Sequence, residues 1–399
     1  MRKLILLFSI AAIIIAATAE KASSIPAFAR KYRLSCQTCH NPMPRLKAYG
    51  DDFAGNGFQL TDREAPRYYV ETGDPELSLL REFPLAVRFD GHITYNNSNS
   101  EQPDLGTPYL LKLMSGGSIT KDVAYYFYVY LDERGEVAGV EDAYLMFNNL
   151  FGVDFDIYAG QFQVSDPLFK RELRLTLEDY SVYTISPGIT DVSMKYDRGL
   201  MLTYGTNFGT TIVAEIVNGN GLTDANAAHL FDKDDYKNFM GRVSQDIGSF
   251  ARIGGFVYGG SESLTNENGD ESVNDIMIWG PDLTLSYEDI LELNMQYVNR
   301  TDDGLFLTED AATPEEDFVT EGLLAELIFL PQGDDSKWYC AGIYNQTMSD
   351  RDLYQYQAGT LHFGYLLRRN IRLVAEGTYN FTDSDNAFAK FSVGFVSGF

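Results

Sequence analysis

Along most of this chain apolar and polar residues alternate one for one. In Leu85-Ala-Val-Arg-Phe-Asp-Gly-His-Ile-Thr-Tyr95 the odd positions Leu85, Val87, Phe89, Ile93 and Tyr95 are apolar, while Arg88, Asp90, His92 and Thr94 are polar. A period of two belongs to a β-strand with one apolar face and one wet face. The last segment repeats it, with Phe391, Val393, Phe395 and Phe399 set against Lys390, Ser392, Gly394 and Gly398. Such segments lie near 83–96, 107–119, 122–133, 138–150, 152–163, 194–205, 208–218 and 236–248. The series continues near 250–262, 273–287, 289–302, 318–331, 336–348, 353–368, 370–382 and 387–399. Connections after even-numbered segments are short, as at Asn207-Phe208, Ile247-Gly248-Ser249 and Arg368-Arg369-Asn370; those after odd-numbered ones are mostly longer and richer in acids. Short turns on one side and long loops on the other, with an even strand number, describe a transmembrane barrel whose ends share the periplasmic side. The expected fold is therefore all-β: an outer-membrane antiparallel β-barrel of about sixteen strands over residues 81–399.

A chain that closes such a strand on Phe399 matches the terminal signature of bacterial outer-membrane proteins. The third outer connection, roughly Val164 to Ser193, is the longest and contains Phe169-Lys-Arg-Glu-Leu-Arg174, Glu178 and Asp179. It either folds inward to constrict the pore, as third loops of sixteen-stranded porins commonly do, or it is a solvated outer loop. At the other end, Met1-Arg2-Lys3, the apolar run Leu4 to Ala16 and Ala17-Thr18-Ala19 read as a secretory signal over residues 1–19. That run is short for a membrane span, and no later segment offers eighteen uncharged apolar residues, so helical spans are not expected.

Residues 20–80 have another character. Ser24 to Ser35 is basic and expected to be helical from near Pro26. Pro44 suits a helical first turn, Leu46, Tyr49 and Phe53 recur at helical spacing, and Gly55-Asn56-Gly57 ends the helix. Between them stands Cys36-Gln37-Thr38-Cys39-His40. Two thiols spaced C-x-x-C and followed by His form the attachment signature of a c-type haem. Cys36 and Cys39 would add to the porphyrin vinyl groups, and His40 would be the proximal iron ligand. A thioredoxin-like redox pair wants a βαβ context, and half a zinc site wants a partner pair; neither is visible. So short a segment cannot bury a haem alone, so the lumen of the barrel has to supply the remaining walls.

Composition refines this picture. The formal charge is −26, and without Arg2 and Lys3 it is −28, from 29 basic and 57 acidic residues. Such acidity argues against nucleic acid and favours cations or basic partners. Thr301 to Asp317 carries Asp302, Asp303, Glu309, Asp310, Glu315, Glu316 and Asp317, and Glu262 to Asp275 adds Glu267, Asp270 and Glu271. These acids either gather cations at the pore mouth or face lipopolysaccharide through bridging divalent ions. Cys340 reads as a lone packed thiol. Tyr126, Tyr128 and Tyr130 share one strand face and read first as wall aromatics, second as a lining of the haem site.

The signal peptide, Ile25-Pro-Ala-Phe-Ala-Arg30, Cys36 to His40, Pro44-x-Leu46, Tyr49-Gly50 and the barrel together resemble the fused monohaem cytochrome–porins. These are the outer-membrane iron oxidases of Fe(II)-oxidising bacteria and their relatives. The resemblance covers the whole chain, with its specific motifs in residues 25–60. It implies one covalent haem c, on the periplasmic side or within the lumen, that takes an electron from extracellular Fe(II) and passes it to a soluble periplasmic cytochrome or similar carrier. The second axial ligand sets the potential. Met43 follows His40 by three residues, about 10 Å at full extension, too short to round the porphyrin. The wall candidates are His92 first, because the strand period turns it inward, then His362 and Met114, with His229 in an outer loop weaker. Three functions stay open: electron uptake from Fe(II), a diffusion porin with a haem-bearing plug, and electron export to an extracellular acceptor. No nucleophilic triad, phosphate loop or zinc motif competes.

Overall fold

The computed structural model describes residues 27–60, 69–70, 73–74, 76–77, 79–80, 83–97, 100–349, 351, 354–382 and 388–399. The expected signal peptide, 1–19, lies outside these residues. Strands β1 Leu85–Asn96, β2 Ser100–Ser118, β3 Val123–Glu133, β4 Gly139–Phe147, β5 Phe155–Gln163, β6 Tyr196–Gly205, β7 Thr210–Val217 and β8 Asn238–Ile247 form the first half of a barrel. The second half is β9 Ala251–Thr265, β10 Glu271–Tyr287, β11 Leu291–Asp303, β12 Phe318–Phe329, β13 Trp338–Ser349, β14 Tyr356–Arg368, β15 Ile371–Asn380 and β16 Phe388–Gly398. Each strand pairs antiparallel with the next, and β16 closes on β1, with Val393 opposite Ile93 and Gly398 opposite Arg88. Closure leaves no edge with unpaired backbone groups, the condition for crossing lipid with strands.

The alternation read from the sequence is the alternation of the walls. On β10 the inward residues Asn274, Ile276, Ile278 and Asp282 are buried, and the outward Val273, Met277 and Trp279 are exposed. Exposed aromatic residues stand near both ends of the strands, with Phe151, Phe208, Phe250, Tyr287 and Tyr365 at the short turns and Tyr95, Phe239, Tyr379 and Phe391 toward the long loops. Aromatic rings at the level of an interface are expected of an outer-membrane barrel. The second strand is longer than its pattern indicates and reaches back to Ser100. Ser-Glu-Gln-Pro-Asp-Leu-Gly106 reads as loop, yet pairing with the far end of β1 (Leu105 with Ile93, Ser100 with Asn96) holds it extended. Tertiary pairing overrides local propensity there.

Two pieces occupy the lumen. The first is the β5–β6 connection, residues 164–195, which folds inward. Its Tyr180, Val182 and Tyr183 pack against Met240, Phe256, Ile278, Leu324 and Ile343 of the inner walls, forming a dry core. Arg300 on β11 fastens the connection. It makes two 2.7 Å bonds to Asp302 and donates to the carbonyls of Ile185 (3.0 Å) and Val192 (2.7 Å). Glu376 on β15 accepts the Leu177 and Glu178 N–H groups at 2.7 and 2.8 Å. Of the two readings open for this loop, the inward one holds.

The second piece is residues 27–60, which lie across the short-turn mouth. Arg45 pairs with Glu292 on β11, and Lys47 with Asp334 in the β12–β13 turn. On the nearly opposite wall, Asn148 of the β4–β5 turn donates to the Gly55 carbonyl (2.7 Å), and Gln59 donates to Lys121 (3.0 Å). Helix α1, Ala27–Tyr32, and helix α2, Ala48–Gly55, pack through Phe28, Tyr32, Phe53 and Phe58 on Ala124 and Met146. Phe28 stacks on Phe58 at 4.9 Å and meets Phe53 edge-on at 5.3 Å, contacts of about 0.5–1.5 kcal/mol each beyond area burial. The expected helical first turn at Pro44 is not formed, and α2 begins at Ala48. The reason is local: His40 bridges to Leu46 and Asn41 N–H donates to the Arg45 carbonyl, folding 40–46 into a tight loop.

Candidate functional site

The loop that displaces the helix start also shapes the motif. A short 3₁₀ turn, Cys36–Thr38, follows Ser35, whose hydroxyl accepts the Gln37 N–H. The His40 N–H donates to the Cys36 carbonyl at 2.9 Å, closing the C-x-x-C-H stretch on itself. Helix α2 lies against it at Gly50, where a Cβ would fall 2.3 Å from the Cys39 carbonyl oxygen, so a side chain has no room. His40 Nδ1 donates to the Pro44 carbonyl at 2.9 Å. That bond fixes the ring and leaves the Nε2 lone pair for another partner, the usual arrangement of a metal-bound imidazole. Burial lowers the His40 pKa, against the opposing effect of its carbonyl neighbours, and raises those of Cys36 and Cys39. At neutral pH these are a neutral imidazole and two thiols.

Cys36, Cys39 and His40 open on a cavity of about 270 Å³. Its floor is the 27–60 segment, with Phe28, Leu34, Leu46, Phe53 and Phe58. Its walls are β16 and β1 to β4, and its roof is the inward loop, through Asp166, Lys170, Glu172 and Leu173. The barrel supplies Met114, Tyr126 and Tyr128 from β2 and β3. Tyr126 and Tyr128 thus line the site, and Tyr130, one step further out, donates to Glu172 at 2.5 Å. Lys112 sits 3.3 Å above the Tyr128 ring and pairs with Glu172 at 3.1 Å.

The wall residues singled out from the strand period are not equivalent. His92 does face inward, 1% exposed and edge-on to Tyr109, but it is not among the cavity walls. It stands four residues beyond Arg88, which is a wall residue, and so about 13 Å further along β1 at the strand rise. His362 is inward and buried too, but its Nδ1 bonds Glu376 at 2.8 Å and its Nε2 contacts the Tyr339 hydroxyl at 3.2 Å. His229 lies exposed in the β7–β8 connection. Met114 lines the cavity directly, paired across the sheet with Ala86 and Tyr128. Met43 lines it from the side of His40 and packs on Gly398. Cys340 is half-buried on β13, between Phe329 and Phe363, on the outward face. The pattern also missed Asp142 and Asp166; both face the cavity, and only the path of the inward loop brings them together.

Solved structures of the same shape identify the architecture. An anion-selective porin from Comamonas acidovorans aligns with a TM-score of 0.56 at 11% identity, over 80% of this chain and 99% of that one. The fold is that of the porins. The outer membrane channel DcaP of Acinetobacter baumannii aligns at 0.52 and 15% identity, over 80% of this chain and 97% of its own. Salmonella typhi OmpF, in a complex with daunomycin, aligns at 0.52 and 12%, over 79% and 97%. No family model and no curated protein matches the sequence.

Proposed function

We propose that this porin-type barrel is an outer-membrane electron-transfer protein of the fused cytochrome–porin kind. In this reading Cys36 and Cys39 carry one haem c as thioethers, and His40 Nε2 is the proximal ligand. Extracellular Fe(II) is the donor, and a soluble periplasmic cytochrome or similar carrier is the acceptor. The observation that carries it is the His40 ring, tied at Nδ1 by Pro44 and facing, with both thiols, an apolar cavity that the lumen completes. Two thiols, an imidazole nitrogen and aromatic and aliphatic walls are the chemistry such a group needs. When bound, the haem supplies a one-electron site. The chain's own residues would hold it and exclude bulk water through Phe28, Phe53, Phe58 and Leu46. Met114, the thioether on the barrel wall of the cavity, would be the residue to hold the group there beside His40, and a thioether would raise the potential relative to imidazole.

Helices do not cross the membrane among the described residues, and the strands do. Lipid of about 30 Å offers no electron carrier, whereas a haem at the short-turn mouth stands on the periplasmic side, within reach of a soluble partner. The test is anaerobic addition of Fe(II) to the purified, haem-loaded protein, with the haem spectrum read in time. Reduction is expected; a haem that stays ferric at every pH tested removes iron as donor. Similarity to channels favours a second reading, a diffusion porin whose haem segment is a plug. Planar-bilayer conductance separates the two, since the inward loop and the segment across the mouth together predict a small conductance for the electron-transfer protein.

A further inference from the structure

The cavity roof and wall carry acid that the surrounding cations leave unmatched. Lys112 is taken by Glu172 at 3.1 Å and Lys170 by Asp51 at 3.2 Å, while Arg171 and Arg174 both turn to Asp179. Asp142 on β4 and Asp166 at the root of the inward loop face the same cavity as His40, and neither is in an ion pair among the described residues. Asp142 is 5% exposed, and its Oδ1 has no hydrogen-bond partner. Glu215 on β7, which does not line this cavity, is 3% exposed, and neither of its carboxylate oxygens has a partner.

Carboxylates taken out of water without a partner are strongly unfavourable, so a proton or a cation has to accompany them. We propose that Asp142 and Asp166 form an internal station for a divalent cation at the acidic edge of the cavity they share with His40. This rests on the function proposed above, under which the ion is Fe(II). Oxygen donors suit a hard divalent ion. Among the described residues no three His, Cys, Asp or Glu side chains form a ready-made metal cluster. The ion accordingly keeps part of its water shell, as befits a substrate that must leave. The step would balance as one electron: Fe(II) at the station would become Fe(III), and a haem held by Cys36, Cys39 and His40 would supply the one-electron acceptor, with no bond made or broken. The site is thus a second acidic position, separate from the acids of the outer loops, and set by the loop path rather than by a local motif.

The experiment uses full-length, haem-loaded protein in detergent, titrated anaerobically with Mn2+ while free Mn2+ is read by electron paramagnetic resonance. The paired variant Asp142→Asn/Asp166→Asn is compared with the wild type, and Glu309→Gln serves as an outer-loop control. Heat-modifiable gel migration verifies the folded barrel, and Asp166→Asn alone, on the loop, guards against a wall defect. The paired variant is expected to bind one Mn2+ fewer and to need several-fold more Fe(II) for half-maximal haem reduction. An unchanged Mn2+ count overturns the station and means that protons neutralise these acids. A lost Mn2+ with no haem reduction by Fe(II) in either protein keeps the station and removes iron as donor, so the two readings fail separately.

Discussion

The two halves of the lumen are built on opposite plans. Facing β7 to β13 the walls turn Val213, Met240, Phe256, Ile278 and Leu324 inward, and the 164–195 loop fills the space with Tyr180, Val182 and Tyr183. Facing β16 and β1 to β4 the same loop presents charge, and a cavity is left between it, the wall and the 27–60 segment. One loop therefore does two things: its apolar side seals one half of the pore, and its charged side roofs the other. The difference shows that a cavity of about 270 Å³ is left in a sixteen-stranded pore by filling the rest of it.

The sharpest way to break that contrast is to unfasten the loop. Arg300 and Asp302 are both fully buried. Arg300→Met leaves Asp302 without its cation and frees the Ile185 and Val192 carbonyls; removing one partner of a buried pair costs about 3–5 kcal/mol. The variant is expected to show a lower thermal midpoint, larger single-channel conductance and protease cleavage within 164–195. A wild-type conductance would mean that the loop is held by its apolar contacts alone.

A smaller effect distinguishes the wall residues of the open half. Met114→Ala is expected to alter the low-spin spectrum of the haem-loaded protein, and Met114→His to lower its potential. His92→Ala should leave both unchanged, because His92 lies beyond the cavity. The reverse pattern would return the ligand to His92.

The smallest effect is in acid. Burial alone would raise Glu172, but Lys112 and Arg174 outweigh it and bring its pKa down to about 2. The guanidinium groups of Arg174 and Arg171 likewise hold Asp179 well below the usual carboxylate range, against burial. A carboxyl whose folded value is depressed stabilises above its unfolded value, near 4, and loses that contribution as pH falls toward the folded value. Loss of docking through these two carboxyls, followed by protease cleavage within 164–195, is therefore expected only below about pH 4; burial raises Asp166 on the same loop to about 6, and its protonation above that window strengthens docking as pH falls. A midpoint near pH 6 would point to other groups.

How much of this is legible in the residues differs between the same regions. The strand period indicated the closed antiparallel barrel, its short turns and the inward face of His92, His362 and Met114, because a pleated strand in a two-sided environment must alternate. Alternation gives the face of a residue but not its depth, so it ranked His92 above Met114 although only Met114 reaches the cavity. The C-x-x-C-H spacing marked the candidate site. The features that complete it, the Pro44 carbonyl at His40 Nδ1 and the loop path that brings Asp166 to the cavity lined by Asp142, depend on folds of the chain that carry no local pattern. The roof was the least legible part, since charges such as Glu172 and Lys170 look the same solvated or buried.

The central claim, a covalent haem in the half the loop leaves open, is tested most directly by intact mass and pyridine haemochrome spectra of protein made in a host that matures c-type cytochromes. One haem per chain, surviving denaturation and lost in Cys36→Ala/Cys39→Ala but not in Cys340→Ala, is the expected result. A polypeptide mass with no added haem and freely alkylated Cys36 and Cys39 would contradict it.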